Sequence, residues 1–140
     1  MSAPVCAFTR ESKVLFKHCD PAELVFFPRF FEMMNDLVEE FFDAIGYPFE
    51  EFHHQGAIPT VQIEAGFPKP SRHGDRLCFS LWVERIGGTS ATLRILTQSG
   101  GETRMTYRAT IVLVGEDGRP KAWPDALRQA MMPYMESEDA

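Results

Sequence analysis

A chain of 140 residues is the size of one ordinary domain, so a single core must account for all of it, residues 1–140. Its 44% hydrophobic and 24% charged residues exclude disordered and collagen-like classes, and charges break every apolar cluster well short of the roughly 20 residues a membrane span needs. A formal charge of −6 disfavours a nucleic-acid groove, which would need a basic stripe to displace counterions from phosphates.

The N-terminal stretch MSAPVCAFTRESK lacks the basic, apolar and small-residue blocks of an export signal, so a cytoplasmic location is expected. Cys6, Cys19 and Cys78 are odd in number and without CxxC spacing, which argues for reduced thiols, two of them packed on strands. Residues 12–18 have the β-branched and aromatic character of a strand that ends at Cys19-Asp20-Pro21. Pro28 fits the first turn of a helix, and Phe30, Met34, Leu37, Phe41 and Ile45 then recur at helical spacing, widened by Phe31, Val38 and Phe42. Arg29, Glu32, Asp36, Glu39, Glu40 and Asp43 occupy the other face, and Gly46 followed by Pro48 is the stop signal.

Residues 57–67, 75–86, 89–99 and 103–115 read as strands, with Gly87-Gly88 and Gly100-Gly101 as hairpin turns. Pro124 to Tyr134 reads as a short terminal helix before an acidic tail at Glu136-Ser137-Glu138-Asp139. The order strand, long helix, four-strand meander implies an α+β fold in which one helix packs on an antiparallel sheet of about five strands. A sheet covered on one face, with a helix this apolar, points to a homo-oligomer.

Asp20 stands between a strand end and a helix start. The backbone N–H groups of a helix's first turn lack intrahelical partners and would stabilise an oxyanion formed in front of them, within reach of the same carboxylate. Spacing alone leaves a second role open for Asp20, an Asx-turn before Pro21. His18 could orient Asp20 or serve as a hydrogen-bonded strand-end histidine. His53-His54 and His73 have no third ligand at metal spacing, so no metal is expected.

The run Cys19-Asp20-Pro21-Ala22, then Leu24-Val25-Phe26-Phe27-Pro28, resembles the motif of the 4-hydroxybenzoyl-CoA thioesterase branch of the hotdog superfamily, which reads Cys-Asp-Pro-Ala-Gly-Ile-Val, two aromatics and proline. Weaker matches extend through Phe67, the turn Pro70-Ser71-Arg72-His73-Gly74-Asp75, Thr89-Ser90 and Asp117-Gly118-Arg119-Pro120. Glu23 departs from the motif's glycine, and Phe27 replaces a tyrosine of some members. The resemblance implies a hotdog fold and an acyl-CoA thioesterase needing no cofactor beyond the coenzyme A of its substrate. It makes Asp20 the nucleophile or general base and the Phe27 backbone N–H the oxyanion donor, in a homodimer or homotetramer.

On this reading Phe26 is a substrate contact and the apolar helix, with Asn35 on its boundary, lines the acyl end. The resemblance puts the coenzyme A phosphates around the hairpin and last strand, frequently across a subunit boundary. Arg85, Thr89, Ser90 and Lys121 are the candidates, with a solvated surface role open for each. Two other functions remain on this fold: hydration or dehydration of acyl thioesters, for which His18 would stand beside the carboxylate, and acyl-CoA binding without turnover.

Overall fold

The apolar stripe read from the sequence folds as helix α1 (Phe27–Ala44), with Phe30, Met33, Met34, Leu37, Phe41 and Phe42 buried and the charged residues on the opposite side. Phe41 and Phe42 pack edge to face at 5.5 Å, and neither keeps solvent contact. Truncating a ring buried this way costs about 3–5 kcal/mol. The helix ends as Gly46 turns to φ +98, with Gly46 N–H on Asp43 O at 3.1 Å and Tyr47 N–H on Phe42 O at 2.8 Å. These two bonds form a Schellman cap, the arrangement glycine favours past a helix end.

The computed structural model describes residues 7–52 and 56–135; Cys6, His53, His54 and the acidic tail lie outside them. In chain order the elements are β1 (Phe8–Lys13), α1, a short α2 (Phe49–Phe52), β2 (Gly56–Ala57), β3 (Thr60–Gly66), β4 (Arg76–Ile86), β5 (Ser90–Ser99), β6 (Glu102–Val112), β7 (Val114–Gly115) and α3 (Asp125–Met131). The main sheet is antiparallel in the order β1-β4-β5-β6-β3, and β2 pairs with β7 in a small second sheet. Leu81, Val83, Leu93, Ile95 and Met105 join the α1 stripe in the core, together with Trp123, Leu127 and Met131 from the C-terminal segment. This is the hotdog architecture, a long helix held in the curve of an antiparallel sheet. Among the described residues no helix is long and apolar enough to cross a membrane.

Three sequence expectations need correction. The first strand covers Phe8–Lys13 rather than 12–18, because the Val14 N–H turns to Asp75 O and the Leu15 N–H to His18 Nδ1, leaving Phe16–His18 as a 3₁₀ turn. The segment 57–67 splits at Pro59, whose missing N–H breaks the ladder. The four strands are not one meander: β4, β5 and β6 are, but β3 lies beyond β6 at the far edge, so the 67–75 connection crosses the sheet. Of the cysteines, Cys78 is on a strand, Cys19 sits in the loop after the 3₁₀ turn, bridged to Val25, and Cys6 lies outside the described residues.

The two sheet edges differ in chemistry. Edge strand β1 carries Arg10, Glu11 and Lys13, charges that discourage further strand pairing. Edge strand β3 carries Val61 and Ile63 at 61% and 45% exposure, with Glu64 as its one charge.

Candidate active site

Asp20 is half-buried at the start of a tight loop. Its Oδ1 accepts the Ala22 N–H at 2.9 Å and, at 3.4 Å, that of Leu24, while its backbone N–H donates to Leu24 O at 2.9 Å. The Asx-turn reading is therefore realised, and it leaves Oδ2 outside the turn. Fixing one carboxylate oxygen with backbone donors aims the other, so the structural role and a chemical one coincide in one side chain.

Glu23 completes the loop at φ +63, a left-handed conformation that costs an L residue about 1–2 kcal/mol. Glycine adopts it freely, which gives a physical reason for glycine at the matching motif position. The loop is then pinned from the other side. Val25 N–H donates to Ser71 O at 2.8 Å, His73 N–H to Glu23 O at 3.1 Å, and Leu24 bridges Arg72.

At the helix start, Phe26 N–H is taken by His18 O at 2.9 Å and Arg29 N–H by Phe26 O at 2.8 Å, and Pro28 has no N–H. Among the described residues none accepts the Phe27 N–H. Proline thus thins the usual cluster of helix-start donors, and the positive end of the α1 dipole lies behind the Phe27 N–H. Around this donor the rings of Phe26, Phe27, Phe31 and Phe67 stand 5.8 to 6.4 Å apart, in tilted or edge-on pairs. Phe26, Phe27 and Phe67 are 48%, 58% and 42% exposed, so an apolar wall beside the donor faces outward. Asn35 is exposed on the same helical line as Phe27 and Phe31, each four residues apart.

His18 takes a different position. Its Nδ1 accepts the Leu15 N–H at 2.9 Å, which puts the ring proton of the neutral form on Nε2. Burial, then Lys17, holds its pKa below the usual value, with Glu32 acting in the opposite sense and Arg29 adding to the depression. The ring lines a groove of about 580 Å³ between α1 and β1 together with Arg10, Lys17, Asp36 and Glu40, and Asp20 does not line that groove. The contribution of His18 to the site that the structure records is its carbonyl, which fixes Phe26 and so the start of α1. Burial and the nearby Asp20 and Glu23 carboxylates push the Cys19 thiol up, which keeps it protonated and a poor nucleophile.

Arg85, Thr89, Ser90 and Lys121 gather elsewhere, around the β4–β5 hairpin. That hairpin is held by Leu113 N–H on Thr89 O at 2.9 Å, Trp123 Nε1–H on Ser90 O at 2.9 Å and Arg128 Nη2 on Gly87 O at 2.7 Å. Arg85 and Lys121 are exposed, and Thr89 and Ser90 half-buried. Asp20 belongs to the opposite end, where its loop pairs with residues 71–73 just before β4 begins. Ten strand steps along β4 separate the two ends by roughly 33 Å. Sequence reasoning missed Arg128 and Trp123, whose hairpin contacts span more than thirty residues of sequence and leave no local signal.

Residues 14–131 match the thioesterase-like superfamily. Among curated protein sequences none matches. Solved structures share the fold at low identity. A thioesterase-superfamily protein from Jannaschia sp. CCS1 is 22% identical, over 98% of this chain and 99% of that one, with a TM-score of 0.87. Slr0204, a 1,4-dihydroxy-2-naphthoyl-CoA thioesterase from Synechocystis, is 18% identical over 90% and 96%, with a TM-score of 0.84. A thioesterase from Thermus thermophilus, solved with coenzyme A and zinc, is 22% identical over 90% and 91%, with a TM-score of 0.79.

Proposed function

This chain belongs to the thioesterase-like superfamily and is a thioester hydrolase, and from that premise we propose that it hydrolyses an aryl- or medium-chain acyl-CoA, with Asp20 as the reacting carboxylate and the Phe27 N–H as oxyanion donor. The observation that carries this reading is an Asp20 carboxylate held by its own loop, seven residues before a Phe27 N–H that no described residue accepts at the start of α1. Asp20 adds to the thioester carbonyl carbon, or takes a proton from the water that does. The carbonyl oxygen becomes an oxyanion against the Phe27 N–H, the C–S bond breaks, and the coenzyme A thiolate leaves and is protonated. Water supplies the hydroxyl of the free acid in either route. A thioester is activated enough for one carboxylate and one donor to suffice, and a single such donor is worth about 3 kcal/mol in other enzymes.

The rings of Phe26, Phe27, Phe31 and Phe67 favour an aryl acyl group, which stacks on aromatic edges and faces, and Asn35 stands at the distal end of that wall. The acyl-CoA handle is read by Arg85, Thr89, Ser90 and Lys121. One chain holds those residues about 33 Å from its own Asp20, so the working site takes them from a second chain. The apolar β3 edge supplies the means. Two β3 strands paired antiparallel about a two-fold axis join the sheets and bring the hairpin end of one chain alongside the Asp20 end of its partner.

The reading is tested by following free coenzyme A thiol from benzoyl-, phenylacetyl-, hexanoyl- and octanoyl-CoA. Thiol release, fastest from the aryl esters, is the expected result. A change in enoyl absorbance without thiol would instead identify a hydratase, and binding without turnover a carrier.

A further inference from the structure

The Asp20 loop is short, contains a residue in a strained conformation, and is tied to the rest of the protein chiefly through the turn at residues 70–75. Val14 pairs with the backbone of that turn at Gly74 and Asp75, and the side chain that ties its start to its end comes from β6. Arg104 Nη1 reaches Asp75 Oδ2 at 2.7 Å, Pro70 O at 3.1 Å and Ser71 Oγ at 3.3 Å, and Asp75 Oδ2 also accepts the Arg72 N–H at 2.9 Å. Arg104 is 13% exposed, and its Nε lies 2.8 Å from Glu102 Oε1.

The backbone explains how a strand residue comes to point there. Met105 is opposite Thr97 and Thr103 is opposite Gln98, so Arg104 has no cross-strand partner and sits in a β-bulge. A bulge inserts one residue into one strand and redirects its side chain, and such bulges recur beside active sites. Here the redirected guanidinium clamps three acceptors on the turn that in turn pairs with Glu23, Leu24 and Val25. No hydrogen bond or ion pair of Arg104 among the described residues goes to Asp20 itself.

We propose that Arg104 and Asp75 are positioning residues for the reacting end: the bulge-borne guanidinium fixes the 70–75 turn, and the turn fixes both the Asp20 carboxylate and the entry to α1. The inference rests on the reading of Asp20 as the reacting group. An arginine is suited to the task because Nη1 serves the turn while Nε faces Glu102, two directions at a fixed angle in one planar group that a lysine ammonium does not reproduce.

The test compares wild type, Arg104→Lys, Arg104→Ala and Asp75→Asn, each alone and combined with Asp20→Asn. Turnover of benzoyl- and octanoyl-CoA is read alongside hydrogen exchange of the peptide covering residues 19–27. The expected result is a kcat lowered roughly ten- to a hundredfold with KM within threefold, Lys intermediate, and no further loss in the Asp20→Asn background. Exchange in 19–27 is expected to rise about tenfold while β5 stays protected. An Arg104→Ala protein with unchanged exchange in 19–27, or an equal activity loss with and without Asp20, overturns the proposal. If Arg104→Ala does not fold, the nearly isosteric Asp75→Asn carries the same two readouts. Full activity in Asp20→Asn alone would refute the catalytic reading instead, and the exchange result would still decide whether the clamp holds the loop.

Discussion

The two ends of the sheet are built on opposite plans. At the Asp20 end the groups that set the loop are committed to one another: Asp20 Oδ1 to its own loop, the loop to the 70–75 turn, the turn to Arg104, while among the described residues nothing accepts the Phe27 N–H at the start of α1. At the hairpin end the backbone is anchored by Trp123 and Arg128, while Arg85 and Lys121 extend into solvent. A preorganised end suits bond breaking, where groups must hold still as charge develops. An open, cationic end suits capture of a charged and flexible handle. The length of β4 keeps the two apart within one chain, so on the proposed reading one chain is half of a working unit.

The comparison breaks most completely if the chains are forced apart. Ile63→Asp places a carboxylate on the exposed β3 edge, and it is expected to convert the proposed assembly to monomer and remove nearly all turnover while the fold persists. Light scattering with thiol release checks this; a fully active monomer would mean that a single chain is sufficient. Next in size is charge reversal at the open end. Arg85→Glu with Lys121→Glu is expected to raise KM about tenfold and leave kcat nearly unchanged, since on the proposed reading these residues bind the handle and not the reacting carbon. A fall in kcat of the same size would place them in the chemistry.

Two smaller changes sharpen the description of the committed end. The Arg104 hydrogen bond, with the Arg72 N–H behind it, holds the Asp75 carboxyl below the ordinary carboxylate range. Its folded value is lower than its unfolded one, so its contribution is complete above about pH 4 and is lost as pH falls through the folded value. Asp75→Asn should therefore lower stability by about 1–2 kcal/mol at pH 7, with the gap closing in acid below about pH 4. Denaturant titrations at pH 7 and pH 3 measure it, and a gap that persists in acid would assign the loss to packing. Glu23→Gly relieves the left-handed backbone and should stabilise the chain by about 0.5–1 kcal/mol. A destabilised Gly variant would show that the Glu23 side chain makes a compensating contact.

Much of this was legible in the sequence because it is local. The recurrence from Phe30 to Phe41 specifies α1 and its buried face, Gly46 marks its end, and Gly87-Gly88 and Gly100-Gly101 place the hairpins. The Cys19 to Pro28 run marked the segment where a held carboxylate and a free N–H now stand. Strand order was not legible: alternation along residues 60–66 is the same whether β3 lies beside β4 or beyond β6, and only the crossing of the 67–75 connection decides it. Nor could Arg104 be picked out, since its partner Asp75 lies 29 residues earlier and the bulge that aims it is a property of the pairing with β5. The strained backbone at Glu23 was visible only as a departure from glycine, without its cause.

The account stands most directly on the carboxylate of Asp20, and Asp20→Asn removes its charge while keeping its shape and its Oδ1 hydrogen bonds. Coenzyme A thiol release by this variant, measured beside wild type on the best substrate of the panel and with folding and assembly verified, is expected to fall at least about a hundredfold. Turnover within threefold of wild type would contradict the account, leaving Asp20 as the hinge of an Asx-turn and moving the chemistry to another group.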